Sequence, residues 1–352
     1  ERMNEALHRE ETQFIGIYGR RRIGKSELIK RIIKARHKAI YFLSDTSSET
    51  VQRVAFSKVA ASVIDGFDKV IYPDWETLFR SFNNQLSERM LVCLDEFPYL
   101  VKSCDVLPSI IQKLLNEKIL KFDLVLCGSS QQLMNGYVLN RQSPLYGLAN
   151  EIIKMQPIPA QYMSMAMECD AVQAVEEYAI WGGVPRYWEL RRDYPDKETA
   201  IRKVLLDPQG SLIEEPQRLL RDDMRDTVQA STLLTIIGNG ANKLSEIATR
   251  AGKDGSTISE PLSKLRDLGY VSREVPFGES PKKSKKGIYH INDSLLRFHY
   301  QFIVPYRSIL ELGRMDMVMQ VVLSQLPQFI GQCWELLCRE YVSGNIIDGT
   351  AY

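Results

Sequence analysis

Residues Phe14 to Lys30, FIGIYGRRRIGKSELIK, constrain the fold more than any other stretch. Phe14-Ile15-Gly16-Ile17-Tyr18 is an apolar run that reads as a buried strand. It leads into Gly19-Arg20-Arg21-Arg22-Ile23-Gly24-Lys25-Ser26, which fits G-x-x-x-x-G-K-[ST], and from Glu27 onward apolar residues recur at helical spacing. Strand, glycine loop and helix in that order is the context a phosphate-binding loop requires. Gly19 and Gly24 permit backbone angles and close approach that a side chain would block. The loop N–H groups and the helix N-terminus converge on nucleotide phosphates. This pattern assigns Gly19, Arg20, Arg21, Arg22, Ile23, Gly24, Lys25, Ser26 and Glu27 to nucleotide binding. Lys25 is expected on the β- and γ-phosphates and the Ser26 hydroxyl in a Mg²⁺ shell. The bland alternative, a glycine-rich turn followed by a chance Lys-Ser, does not explain why both flanks are correct. The three arginines face nucleotide, a neighbouring subunit or solvent, and the sequence leaves that open.

At 352 residues the chain is long for one core, so two or three domains are expected. A composition of 44% hydrophobic and 25% charged residues is that of an ordinary globular protein. The formal net charge of +1 favours no class of partner, so nucleic-acid contact must come from local patches. Six cysteines are scattered without a C-x-x-C pair, and none has zinc-ligand spacing. Cys93 and Cys127 sit inside apolar runs, as reduced buried thiols do, which fits a reducing cytoplasm. No apolar run approaches the roughly 20 residues that span a bilayer, and no membrane partner is expected. The chain opens at Glu1 inside a charged, helix-like stretch, as a trimmed chain does.

A second strong signal is Leu91-Val92-Cys93-Leu94-Asp95-Glu96. Four apolar residues make a strand buried on both faces, as in a parallel sheet. Two acids follow at its C-terminal end, where open α/β sheets place their ligands. Asp95 is expected to hold Mg²⁺ together with Ser26, and Glu96 to act as general base on the water that attacks the γ-phosphate. Ala39 to Leu43 and Phe122 to Cys127 read as further strands, and Glu151 to Met155 as the last. Phe122 to Cys127 ends in Gly128-Ser129-Ser130, where a small polar residue can touch the γ-phosphate or the lytic water. Ser129 or Ser130 fits that role, while Ser130 equally caps a helix starting near Gln131.

From Pro157 the character turns helical. Tyr178 to Tyr187, YAIWGGVPRY, forces a sharp turn between helices. It either only joins them or supplies, through Pro185 and Arg186, an adenine wall and a phosphate contact. Residues 229–277 hold three short helical patterns, followed by Gly269 to Pro276 and Gly287 to Ile291 as a hairpin, the order of a winged helix. Lys282, Lys283, Lys285 and Lys286 cluster at the wing tip, which suits DNA phosphate contacts; a solvated loop in a protein-binding wing is the alternative. Asp293 to Arg307 is rich in aromatics at helical spacing, more often core or interface than a ligand cage. Gly331 to Val342 reads as helix.

Taken together, GRRRIGKSELI, LDEFPYL, LCGSS, SPLYG, GGVPRY and the winged-helix order resemble the archaeal-type ATPases of the STAND branch of AAA+-like proteins, found in archaea and bacteria. The resemblance covers nearly the whole chain and is most specific in the first 190 residues. It implies an additional-strand P-loop fold with Mg-ATP at Gly19 to Ser26, Asp95 and Glu96 as the acidic pair, and Gly183 and Pro185 as the adenine-side turn. Family patterns usually place Arg after SPLYG; here Leu148 follows, leaving Arg141 and Arg186 as substitutes. The C-terminal end resembles a restriction-endonuclease-type domain whose first acid matches Glu335. Its remaining acid and lysine would lie beyond Tyr352, so nuclease activity is not expected of this chain.

The expected fold is therefore an α/β P-loop NTPase with a parallel sheet in residues 1–157, a helical lid in 158–226, a winged helix in 227–292 and the helical start of a further domain in 293–352. The expected function is ATP binding and slow hydrolysis with Mg²⁺, ATP and ADP states being coupled to the winged helix. The alternative is a DNA-binding regulator or a protein-interaction scaffold, self-association included, in which nucleotide is only structural. Hydrolysis, with Lys25, Glu96 and Ser129 as catalytic groups, separates the two.

Overall fold

The structure, a computed structural model, describes residues 2–36, 38–276, 278–280, 284, 286–343, 345–347 and 350–351. Five apolar runs pair side by side as β1 (Phe14–Tyr18), β2 (Ala39–Leu43), β3 (Met90–Asp95), β4 (Phe122–Gly128) and β5 (Glu151–Lys154). Their order is β2-β3-β4-β1-β5, and every ladder is parallel. Parallel strands need helical crossovers, and these cover both faces. Val92, Leu94, Leu124 and Leu126 point into one apolar core, while Leu91, Cys93, Val125 and Cys127 point into the other. This is the two-residue period of a pleated strand, and it explains why β3 and β4 read as continuous apolar runs. The first core is organised around Phe56, which meets Phe42, Trp75, Phe79 and Phe82 edge to face at 5.5, 5.8, 5.6 and 6.0 Å. Such pairs add about 0.5–1.5 kcal/mol each beyond the area they bury.

The α/β class with a parallel sheet is the fold expected from sequence. Its decisive detail is β4, which lies between β1 and β3. Because all five strands run the same way, the loop after β1, the acidic end of β3 and the serines after β4 emerge along one edge of the sheet.

The chain divides into two compact units, Glu1–Gln156, which holds the sheet, and Pro157–Tyr352. The second unit has two apolar cores. One gathers Ile180, Trp181, Tyr187, Val204 and Leu205 with Phe298, Phe302 and the buried face of the 28-residue helix Met315–Val342. Of the residues from 293 onward, read from sequence as the start of another domain, Leu295, Phe298, Phe302 and the buried face of that helix share a core with residues 163–212, while Leu296 and Tyr300 enter the other core. The other core lies under three helices, Thr227–Gly238, Leu244–Ala251 and Gly255–Asp267, and an antiparallel hairpin of β6 (Val271–Glu274) and β7 (Ile288–Ile291). Lys282, Lys283 and Lys285 lie outside the described residues; Lys286 pairs with Glu279 at 3.0 Å. Cysteines 93, 104, 127, 169, 333 and 338 are free thiols. Among the described residues no helix is long and apolar enough to cross a membrane.

Candidate functional site

The loop after β1 folds tightly for two local reasons. Gly24 has φ 95°, in the left-handed region, and caps the helix Lys25–Lys34. Gly19 lies against the end of β5, where a Cβ would stand 2.8 Å from the Met155 carbonyl oxygen. The helix takes no side-chain cap, so its first-turn N–H groups and the positive end of its dipole remain directed at the loop. Lys25 is 5% exposed and folds back over the loop. Its Nζ donates to the carbonyl oxygens of Gly19 at 2.9 Å and Arg20 at 3.0 Å. Arg20 and Ile23 are buried, Arg21 is exposed, and Arg22 is half-buried with φ 66°. Glu27 points outward and pairs with Arg31 at 3.1 Å.

Asp95 ends β3 fully enclosed by donors. Its Oδ2 accepts from the Ser26 hydroxyl at 2.6 Å and the Tyr41 hydroxyl at 2.5 Å, and its Oδ1 accepts from the Glu96 N–H at 2.9 Å. The Ser44 N–H donates to the Asp95 carbonyl at 3.0 Å, fixing the strand end as well as the side chain. Burial alone would raise the Asp95 pKa. Hydrogen bonds from Ser26, Tyr41, Cys127 and the Glu96 N–H outweigh it, so the carboxyl is held below its ordinary value and is ionised at neutral pH. The Tyr41 phenol is driven up, first by burial and then by its bond to Asp95, and stays a donor. A hydroxyl and a carboxylate, hard oxygens 2.6 Å apart, are donors of the kind Mg²⁺ takes when phosphates complete its shell.

Glu96 follows in the left-handed region at φ 53° and ψ 41°. For a residue with a Cβ this costs roughly 1–2 kcal/mol, a strain of the kind that collects at functional sites. The turn aims its carboxylate at β4, where Oε2 accepts from the Ser129 hydroxyl at 2.9 Å and the Ser129 N–H at 3.2 Å. Ser130 instead caps the helix Gln131–Met134, accepting from the Leu133 N–H at 3.3 Å. Ser130 therefore takes the capping role, and Ser129 meets Glu96.

One edge of the sheet thus brings together Lys25, Ser26, Asp95, Glu96 and Ser129. Pro185 and Arg186 belong to the second unit, where Pro185 opens the helix Pro185–Arg192 and Arg186 pairs with Glu189 at 2.8 Å. Sequence reasoning missed Tyr41 and Ser44. Both are hydroxyl residues, Tyr41 in the middle of β2 and Ser44 just past its C-terminal end, and they become relevant only once β2 is known to neighbour β3.

The family model described as an ATPase domain predominantly from Archaea matches residues 1–189, and one described as archaeal and bacterial proteins of unknown function matches residues 299–350. An uncharacterized protein of Methanocaldococcus jannaschii is 29% identical over 347 residues, spanning 97% of this chain and 75% of that protein. Among solved structures, the Aeropyrum pernix ORC2 protein in ADPNP–ADP complexes aligns with a TM-score of 0.52 at 11% identity, covering 92% of each chain, a likeness of fold alone. A STAND protein with a tetratricopeptide repeat sensor from Pyrococcus horikoshii aligns at TM-score 0.39 and 14% identity, over 91% of this chain and 45% of that one. With the first family model matching more than half of its residues, the chain belongs to the family of ATPase domains found predominantly in Archaea.

Proposed function

We propose that the chain binds Mg-ATP on residues 19–26 and hydrolyses it, and that the state of the nucleotide is passed to residues 227–291, acting as a DNA-binding winged helix. The hydrolytic part rests on the 2.6 Å bond joining Ser26 to Asp95, with Glu96 next in the chain and 2.9 Å from Ser129. In this reading the loop and helix N–H groups bind phosphate oxygens, and Lys25 exchanges the carbonyls of Gly19 and Arg20 for the β- and γ-phosphates. Mg²⁺, when held by the oxygens of Ser26 and Asp95, neutralises charge on those phosphates. Glu96 takes a proton from the attacking water, and Ser129 holds its carboxylate in position until it does. Pro185 and Arg186 serve the adenine side and a phosphate.

Lys25→Ala is expected to abolish binding of a fluorescent ATP analogue. Glu96→Gln is expected to keep binding while slowing phosphate release by about a hundredfold or more, the usual worth of a general base. Turnover unchanged in Glu96→Gln would refute the hydrolytic assignment. The DNA part is supported by Lys282, Lys283, Lys285 and Lys286 falling in the β6–β7 connection. Replacing all four by glutamine should weaken duplex binding and flatten its salt dependence by about 0.9 per lost phosphate contact. Affinity and slope that do not change would remove DNA from this reading.

A further inference from the structure

Helix Met315–Val342, the hairpin β6–β7 and the end of helix Thr227–Gly238 enclose a cleft of about 610 Å³, a volume typical of small-molecule sites. Arg297 lies on its wall. This residue is 8% exposed, yet its guanidinium makes no ion pair among the described residues. One nitrogen, Nη2, donates to the Ala179 carbonyl at 3.2 Å, the group lies over the Phe329 ring at 4.2 Å from its centroid, and the buried Cys333 thiol is a further side-chain neighbour within hydrogen-bonding reach. Among the described residues the Nε–H has no hydrogen-bond partner. Taking a cation out of water costs several kcal/mol, and a neutral carbonyl, a thiol and an aromatic face return only part of it.

The rest of the cleft suits an anion with a polar body. Six side-chain amides line it: Asn239, Asn242, Gln301, Gln325, Gln328 and Gln332. Carboxamides donate and accept without charge, so they can read hydroxyl, amide or ring-nitrogen groups without repelling an anion. Two acids also line the cleft, Glu274 and Glu335, but both pair with Arg339 and neither serves Arg297.

We propose that this cleft binds a small polar anion, with its carboxylate or phosphate group on Arg297 and its body on the surrounding amides. Such a site is separate from the phosphate loop and would give the second unit a ligand of its own. The test uses the full chain carrying Lys25→Ala, so that residues 19–26 do not report phosphate. Inorganic phosphate and AMP form one arm, acetate and glutamate the other, at millimolar concentrations. The readouts are the Arg297 Nε–H resonance and the thermal midpoint. A saturable shift in one arm is expected, and the responding arm identifies the oxyanion. Gln332→Glu, an exposed position where a carboxylate would enter the wall, should weaken that binding about tenfold or more. Because Arg297→Gln can itself unfold the core, Gln332→Glu is the deciding variant. The proposal is overturned if no probe moves the Arg297 resonance, or if binding persists undiminished in Gln332→Glu.

Discussion

The turn at Gly182-Gly183 makes a demanding test of how the second unit is held together. A Cβ added at Gly183 would stand 2.1 Å from the Ile158 carbonyl oxygen, 2.7 Å from the Ile158 nitrogen and 2.8 Å from the Pro157 Cβ. Carbon–oxygen contacts normally begin at about 3.3 Å, so the two backbones must part by about 1.2 Å. They are joined by the Ile158 N–H donating to the Gly183 carbonyl at 2.7 Å. Stretched by that amount, this bond would exceed hydrogen-bonding range. Losing it, with the half-buried Ile158 amide left without that partner, costs about 1–3 kcal/mol, and the overpacking costs about 1–3 more. Gly183→Ala should therefore destabilise the unit by about 2–6 kcal/mol. For a body of some 200 residues this lowers the calorimetric midpoint by roughly 10 °C. A midpoint within about 1 °C of the parent chain would show that the segments yield freely and that the contact argument is wrong.

Three further outcomes follow from particular contacts. Tyr41→Phe removes one donor from Asp95 and should cost about 1–2 kcal/mol in urea unfolding at neutral pH. The Asp95 pKa is depressed in the fold, so its contribution exists above the ordinary carboxyl pKa and vanishes as pH falls through the folded one; the gap between variant and parent should close on acidification. His299 is held down to about 4, by burial and then by the charge of Arg307. The unfolded chain binds that proton first, so stability should fall by about 2 kcal/mol between pH 7 and pH 5, and His299→Gln should abolish this dependence in the same assay. Gly331 lies inside helix Met315–Val342, and among the described residues no atom beyond its chain neighbours and the helix's own nearby backbone comes within 4 Å of a would-be Cβ, so Gly331→Ala should raise stability by about 0.5–1 kcal/mol in thermal unfolding.

Features decided by neighbours in sequence were legible before any coordinates. The strand–loop–helix at residues 14–34, the buried run ending in Asp95 and the cap at Ser130 are all fixed by adjacent residues. The helices and hairpin between residues 227 and 291 also fall where their patterns and turns placed them, and Phe298, Tyr300 and Phe302 are core residues, as their spacing suggested. Contacts set by strand order or by distant packing were not legible. Tyr41 reaches Asp95 across 54 positions, and the Met315–Val342 helix shares a core with Ala171–Trp181. Arg297 carried no signal of its own, since nothing in the neighbouring residues marks an arginine within an aromatic stretch as buried.

The position of β1 in the sheet also bears on how the chain is made. Phe14 is in register with Leu124, and Ile15 with both Val125 and Glu151. The strand that carries the phosphate loop therefore leaves the ribosome before either of its neighbours exists. Its pairing must wait until residue 128 has been synthesised for the β4 ladder and residue 154 for the β5 ladder, and loops of more than a hundred residues must close to achieve it. Such long-range pairing is slow and leaves an apolar segment uncovered meanwhile, a natural target for chaperones. Nucleotide competence should accordingly arise late, because no nascent fragment that stops short of β4 can bring Ser26, Asp95 and Ser129 to the same edge.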